Sequence, residues 1–265
     1  MTTYKKGRVI MIASALLLSL VAFRACKTDS TGDLSGEMAH LNLYLIDAPA
    51  EYDAVNIDIQ EIEIHTDEDG WKTYNLVHPG IYNLLEFNAG VDTLMLSEDM
   101  PPRTVSQIRL ILGENNNVVV DGVSYPLEVP SGETSGLKLN VHYEFLGGIV
   151  YDLWLDFDAN QSINQLGNGD YQLKPVIRIY TSAETGAISG VISPIDGAIS
   201  AKAISADDTV TSSIAPDGAF YIGGLSAGLY DVFFEPAPGF TEYSIYDVNV
   251  SIGVITDLGV VSIPE

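Results

Sequence analysis

GLKLNVHYEFLGGIVYDLWLDFD, residues Gly136–Asp158, is the stretch on which the fold turns. Leu137, Leu139, Val141, Tyr143 and Phe145 share one phase of a two-residue period. Beyond the Gly147-Gly148 pair, Tyr151, Leu153, Leu155 and Phe157 repeat that phase. A period of two marks half-buried strands, because successive side chains leave a strand on opposite faces. Two such strands around a short glycine turn are expected to form a hairpin. A two-residue turn would set apolar against polar residues throughout. A three-residue loop, Leu146-Gly147-Gly148, pairs Tyr143 with Tyr151, Val141 with Leu153 and Leu139 with Leu155, and supplies the glycine that such loops use. The other face then aligns His142 with Asp152, Asn140 with Trp154 and Lys138 with Asp156.

Outward from this stretch the same period recurs. Leu41, Leu43 and Leu45 alternate with polar neighbours, as do Val55, Ile57 and Ile59. The phase slips before Ile62 and Ile64, and a one-residue slip would turn the buried face outward, so Gln60-Glu61 is expected to be a β-bulge or a strand break. Further strands are expected at 71–76, 105–112, 117–120, 123–128 and 173–180, and one short helix over Tyr82–Phe87. Asp69-Gly70, Pro101-Pro102, Asp121-Gly122 and Asn168-Gly169-Asp170 punctuate the set as turns. After a linker at Thr181–Gly186, short strands separated by Gly, Pro and Asp run to the end, as in a small sandwich. The expected class is therefore mainly β, with two β-sandwich-like domains, 39–181 and 186–265, behind an N-terminal signal peptide.

That signal occupies residues 1–25. Lys5, Lys6 and Arg8 precede an apolar run, Val9–Phe23, too short to span a bilayer as a helix and suited to an export signal. The sole cysteine of the 265 residues, Cys26, follows at once after Ala25. Residues 26–38, rich in Ser, Thr, Asp and Gly, read as a flexible tether. The chain carries 12 Lys+Arg against 36 Asp+Glu, a net charge of −24, which repels phosphate backbones and excludes nucleic acid as a partner. Processing would remove Lys5, Lys6, Arg8 and Arg24 and no acid, deepening that imbalance. One cysteine excludes a disulfide framework and a multi-cysteine zinc site.

Ala25-Cys26 after the apolar run resembles a bacterial lipobox, in which the cysteine is acylated and becomes the mature N-terminus. Phe23 and Arg24 depart from the usual residues there. The resemblance implies a lipid anchor on Cys26, a membrane partner through that lipid, and residence in the cell envelope at the outer membrane. Residues 39–181 resemble the domain of unknown function 4382. The matching stretches include Leu45-Ile46-Asp47-Ala48-Pro49, Tyr52-Asp53-Ala54-Val55, Tyr82-Asn83-Leu84-Leu85, Gly136-Leu137-Lys138-Leu139, Asp156-Phe157-Asp158 and Tyr171-Gln172-Leu173-Lys174-Pro175. Residues 186–265 resemble a carboxypeptidase regulatory-like domain, a transthyretin-like sandwich of carbohydrate-binding-like fold. There the resemblance rests on Gly186-Ala187-Ile188-Ser189-Gly190-Val191-Ile192, Asp217-Gly218-Ala219-Phe220-Tyr221-Ile222, Gly224-Leu225 and Gly228-Leu229-Tyr230-Asp231-Val232. Neither resemblance brings catalytic residues.

Gly224-Leu225-Ser226-Ala227-Gly228 matches the GxSxG nucleophile elbow, but no histidine follows His142 to serve as base. The four histidines, His40, His65, His78 and His142, have no metal-ligand spacing. Asp156-Phe157-Asp158-Ala159-Asn160 opens like an EF-hand loop and then fails, with Gln161 where glycine is needed and Gly167 where glutamate is needed. A looser Ca²⁺ site on Asp156, Asp158 and Asn160, with Asp170 as a further donor, stays open beside the reading as a hydrogen-bonded turn. A tryptophan among charges, Trp154 with Asn140, Lys138 and Asp152, suits a sugar, since an indole offers an apolar body beside amides and carboxylates. The expected function is a non-enzymatic binding or adhesion module, with a glycan or a surface protein as partner. The alternative is a structural or assembly component of a surface complex.

Overall fold

The computed structural model describes residues 37–130, 136–206 and 208–265. The signal segment, Cys26 and the tether to residue 36 lie outside the described residues. The first body contains β1 (Ala39–Asp47), β2 (Ala54–Thr66), β3 (Gly70–Asn83), β4 (Thr93–Met100), β5 (Arg103–Leu112) and β6 (Asn117–Val120). It continues with β7 (Val123–Glu128), β8 (Leu137–Phe145), β9 (Val150–Phe157), a helical turn α1 (Ala159–Ser162), β10 (Ile163–Gln165), β11 (Tyr171–Leu173) and β12 (Ile177–Thr181). The second body contains β13 (Gly186–Ser193), β14 (Ala198–Ile204), β15 (Thr209–Ser213), β16 (Ala219–Leu225), β17 (Gly228–Pro236), β18 (Tyr243–Val250) and β19 (Ile255–Ser262). The fold is mainly β, as the periodicity predicts.

In the first body a four-stranded sheet, β12-β9-β1-β4, faces a larger one in the order β10-β11-β7-β6-β2-β5-β8, with β3 also on β2. Between them lies a core in which Leu41, Leu43, Leu45, Ile57, Ile59, Ile62, Ile64, Phe145 and Phe157 are all fully buried. Each such side chain contributes ~1.5–3 kcal/mol of transfer free energy, which is why the alternation is kept so strictly. At Ile59/Glu61 the register of β2 shifts against both β3 and β5. This is the bulge expected at Gln60-Glu61, and it keeps Ile62 and Ile64 in the core. The Asp69-Gly70 and Asp121-Gly122 turns close the β2–β3 and β6–β7 hairpins, with Asp121 and Gly122 both at positive φ, 51° and 73°.

Three expectations are corrected. The one strand expected over 173–180 is two, β11 and β12, which break at Lys174-Pro175-Val176 and join different sheets. The short helix over Tyr82–Phe87 is only a 3-10 turn at Leu84–Glu86, because Tyr82 and Asn83 remain paired in β3 with Ile57 and Asn56. The hairpin of β8 and β9 does not form. β8 pairs with β5 in the large sheet, Leu139 opposite Ile108, while β9 runs parallel to β1 in the small one, Leu153 opposite Leu43. The Leu146–Ile149 segment is an arch between sheets. His40 N–H donates to the Ile149 carbonyl and Gly148 N–H to that of Met38. The Tyr151 hydroxyl accepts from Leu146 N–H at 2.9 Å, and its ring stacks on Phe145 with centroids 4.4 Å apart. An apolar face is buried equally well by a neighbour within a sheet or by a strand across the core, so periodicity alone does not separate the two.

The second body packs a three-stranded sheet, β16-β13-β19, on a four-stranded one, β15-β14-β17-β18, around Ile188, Phe220, Val232 and Phe234. The Thr181–Gly186 segment is a hydrogen-bonded turn. The Thr181 carbonyl accepts from Glu184 N–H and Thr185 N–H, both at 3.1 Å, and from the Thr185 hydroxyl at 2.8 Å. Beside it, Tyr180 of β12 lies against Gly223-Gly224 of β16. A Cβ added at Gly224 would stand 2.6 Å from the Tyr180 ring, and one at Gly223 2.7 Å from its hydroxyl. Gly224 also holds a positive φ of 71°. The first glycine of the GxSxG pattern thus admits a tyrosine ring between the two bodies.

Candidate functional site

The outward phase of the small sheet carries the most chemistry-rich row in the protein. Tyr44 is opposite Trp154, and Trp154 is opposite Tyr180, so three aromatic rings stand side by side on β1, β9 and β12. The rings are stacked, with centroids 5.5 Å apart for Tyr44–Trp154 and 5.7 Å for Trp154–Tyr180. A tyrosine therefore lies against each face of the indole, and the indole offers its edge. On that edge Trp154 Nε1 donates to Asp92 Oδ2 at 3.0 Å.

Two residues further along the strands, on the same face, Asp156 is opposite Arg178. Arg178 donates from Nε to Asp156 Oδ2 at 3.2 Å and from Nη2 to the same oxygen. Asp156 is buried, and that burial pushes its carboxyl up although the guanidinium works against it. Beside it Asp47, only 6% exposed, accepts from Ala159 N–H through Oδ1 at 2.9 Å, while Oδ2 has no hydrogen-bond partner. Burial, reinforced by the charges of Asp156 and Asp158, lifts the Asp47 carboxyl to about 8, so it holds its proton at neutral pH. Asp47, Asp92, Trp154, Arg178 and Tyr180 line one wall of a cavity of about 550 Å³, and Tyr221 and Gly223 of β16 stand on the other. This cleft between the two bodies is large enough for a sugar-sized ligand.

The residues expected to share a polar face are divided by the arch. Asp152 and Trp154 stay together on the small sheet, where Asp152 accepts from Asn42 Nδ2 at 2.9 Å. Lys138 and Asn140 lie on the outer face of the large sheet, opposite Arg109 and Gln107. There Gln107 Nε2 donates to Asn140 Oδ1 at 2.8 Å. Their neighbours on that face include the other tryptophan, Trp71, whose ring is covered by the Arg109 guanidinium at 3.7 Å, itself bonded to Glu63. His142 is likewise on β8, in a different sheet from Asp152, so that expected pair is also absent.

The oxygen donors expected to hold Ca²⁺ are occupied otherwise. Asp156 is tied to Arg178. Asp158 caps α1, accepting from Gln161 N–H at 2.8 Å and from Gln161 Nε2 at 2.5 Å, and Asn160 is exposed within that turn. Asp170 accepts from Asn168. Among the described residues no three His, Cys, Asp or Glu side chains converge as a metal site. The acidic tip Asp67-Glu68-Asp69 is clasped by Arg103, which pairs with Glu68 and Asp69.

Asp47, Asp92, Arg178 and Tyr221 are site residues that the sequence reading missed. Tyr44 and Tyr180 were findable, since each is a large aromatic on the outward phase of an apolar strand, as Trp154 is. Asp92 was not, because it lies in the connection before β4 and reaches Trp154 only through the fold.

No curated protein matches the chain. Among solved structures, it is similar to the Bacillus anthracis TIE protein at 10% identity and a TM-score of 0.25, over 86% of this chain and 35% of that one. A leucine-rich repeat protein from Bacteroides thetaiotaomicron is similar at 12% identity and a TM-score of 0.19, over 86% and 26% of the two chains. A streptococcal ancillary pilin is similar at 10% identity and a TM-score of 0.23, over 84% and 68%. The chain thus spans about a third and about a quarter of the first two structures. Residues 38–175, more than half of the chain, match the family described as Domain of unknown function (DUF4382), and the protein belongs to that family.

Proposed function

We propose that the protein is a non-enzymatic binding module of the cell envelope, held at the outer membrane by a lipid on Cys26, and that it takes a carbohydrate between its two bodies. The observation that carries this reading is the cleft itself, walled by aromatic edges and carboxyls. Sugars present both C–H surface and hydroxyls, and such a wall answers both. The sandwiched indole cannot stack a pyranose on its face, so Trp154 acts through its edge and through the Asp92 carboxylate that it orients. The residues that serve here are Trp154 and Asp92, with Tyr180 and Tyr221 as apolar walls.

A glycan array probed with the full chain in detergent identifies the sugar, and titration of intrinsic fluorescence measures its affinity. Trp154→Phe keeps an aromatic ring in the stack and removes Nε1, and weakens binding ~10-fold, the effect of one lost hydrogen bond to a charged group. Unchanged affinity in Trp154→Phe and in Asp92→Ala overturns the site. The anchor is tested separately: Cys26→Ser abolishes acyl labelling and moves the protein to the soluble fraction, and retained labelling overturns it.

An assembly role in a surface complex is the second reading. It draws on β19, an edge strand on which Ile255 and Val260 are 58% and 72% exposed. Light scattering of the wild type and of Val260→Lys tests self-assembly, and a monomeric wild type removes it.

A further inference from the structure

We infer that the cleft selects carbohydrates bearing a protonated primary amine, with the ammonium seated at Asp92 against the aromatic wall. This rests on the carbohydrate reading above and names the ligand class for the same site. Asp92 and Asp156 line the cavity with one guanidinium, Arg178, beside the protonated carboxyl of Asp47. Arg178 is already committed to Asp156 through two hydrogen bonds to one oxygen. Among the described residues no cation pairs with Asp92, so its charge is left uncompensated in the cleft. Its Oδ2 accepts from Trp154 Nε1, which holds the carboxylate in one orientation and leaves Oδ1 for a ligand.

The surroundings suit a cation. Tyr221 lines the cleft as a half-buried ring, and an aromatic face attracts ammonium groups, whereas Trp154 gives the cleft only its edge, turned to Asp92. Asp92 acts on this wall electrostatically: after burial, its charge is the cause that pushes up the Tyr221 hydroxyl, and it contributes in the same direction at Tyr44 and Tyr180. Asp47 adds a buried carboxyl in the same wall with one oxygen lacking any partner. A net charge of −24 draws cations toward the protein at long range. An N-acetylated or neutral sugar would keep the hydroxyl contacts and lose the charge pairing.

The test is calorimetric titration of the full chain in detergent with three probes: a glucosamine tetramer, its N-acetylated counterpart and a glucose tetramer. The glucosamine tetramer is expected to bind at least ~10-fold more tightly than the other two, the ratio that one charge-assisted contact supplies. Asp92→Asn, checked for an unchanged melting temperature, is expected to abolish that ratio. Asp121→Asn, a neutralisation on the β6–β7 turn, is expected to keep it and so controls for unspecific attraction. Equal affinities in the wild type, or a preference that survives in Asp92→Asn, overturn the amine selection and leave the carbohydrate reading standing. Silence of all three probes, with silence across the glycan array, overturns both.

Discussion

Asp47→Asn isolates the buried carboxyl at the cleft wall. Folding lifts that carboxyl from 3.8 to about 8, with burial the largest cause. Below the unfolded value both states hold the proton, and above about 8 neither does. Between the two only the folded chain is protonated, so stability falls as pH rises, by ~1.4 kcal/mol per unit. From about pH 5 to about pH 7 the loss from this one group is ~2.7 kcal/mol. Asparagine keeps the Oδ1 acceptor for Ala159 N–H and cannot ionise. The variant should therefore lose ~1–2 kcal/mol at pH 5, from an amide N–H without an acceptor where Oδ2 stands. It should then gain on the wild type steadily up to pH 8. Urea denaturation of both proteins at half-unit steps reads the difference directly. Thermal melts should show the variant gaining ~5–10 °C on the wild type over the same two units, enough to reverse their order. Parallel stability curves from pH 5 to pH 8 would refute the reasoning, since they would mean that Asp47 ionises in the folded protein as it does in the unfolded chain.

Other substitutions probe the frame around the cleft. Gly224→Val places a branched side chain at positive φ and against Tyr180, and should cost ~2–4 kcal/mol in denaturant melts from strain and overpacking together. Arg178→Met leaves Asp156 buried without its cation and should cost about 3 kcal/mol at pH 8, and less as pH falls, because burial raises the Asp156 carboxyl. Phe234→Ala removes a fully buried ring that packs edge-on to Phe220 at 5.3 Å, and should cost ~3–5 kcal/mol. An unaltered melting temperature in that variant would show that the second body is held by something other than this core.

The strands and their inward residues were readable from the sequence, because burial imposes a period of two whatever the partner is. Leu41, Leu43 and Leu45 had to face the core together, and the slip at Gln60-Glu61 had to be a bulge or a break for Ile62 and Ile64 to join them, of which the fold takes the bulge. Turn chemistry at Asp69-Gly70 and Asp121-Gly122 was equally local, since few residues accept positive φ. Pairing was not local. The faces of β8 and β9 satisfy the same alternation as hairpin partners or across a sandwich, and the choice was made by β1, which takes β9 as a parallel neighbour, and by β5, which takes β8. With that choice Lys138 and Asn140 went to one sheet and Trp154 to the other. The cleft followed from contacts remote in sequence: Asp92 reaches the indole edge across 62 residues, Asp47 reaches Ala159 across 112, and two glycines of β16 admit Tyr180. Sequence alone thus determined which apolar side chains enter the two cores, by the local period of burial. The tertiary structure decided which of the remaining side chains meet, because that depends on sheet pairing and on the contact of β12 with β16 beside one row of rings.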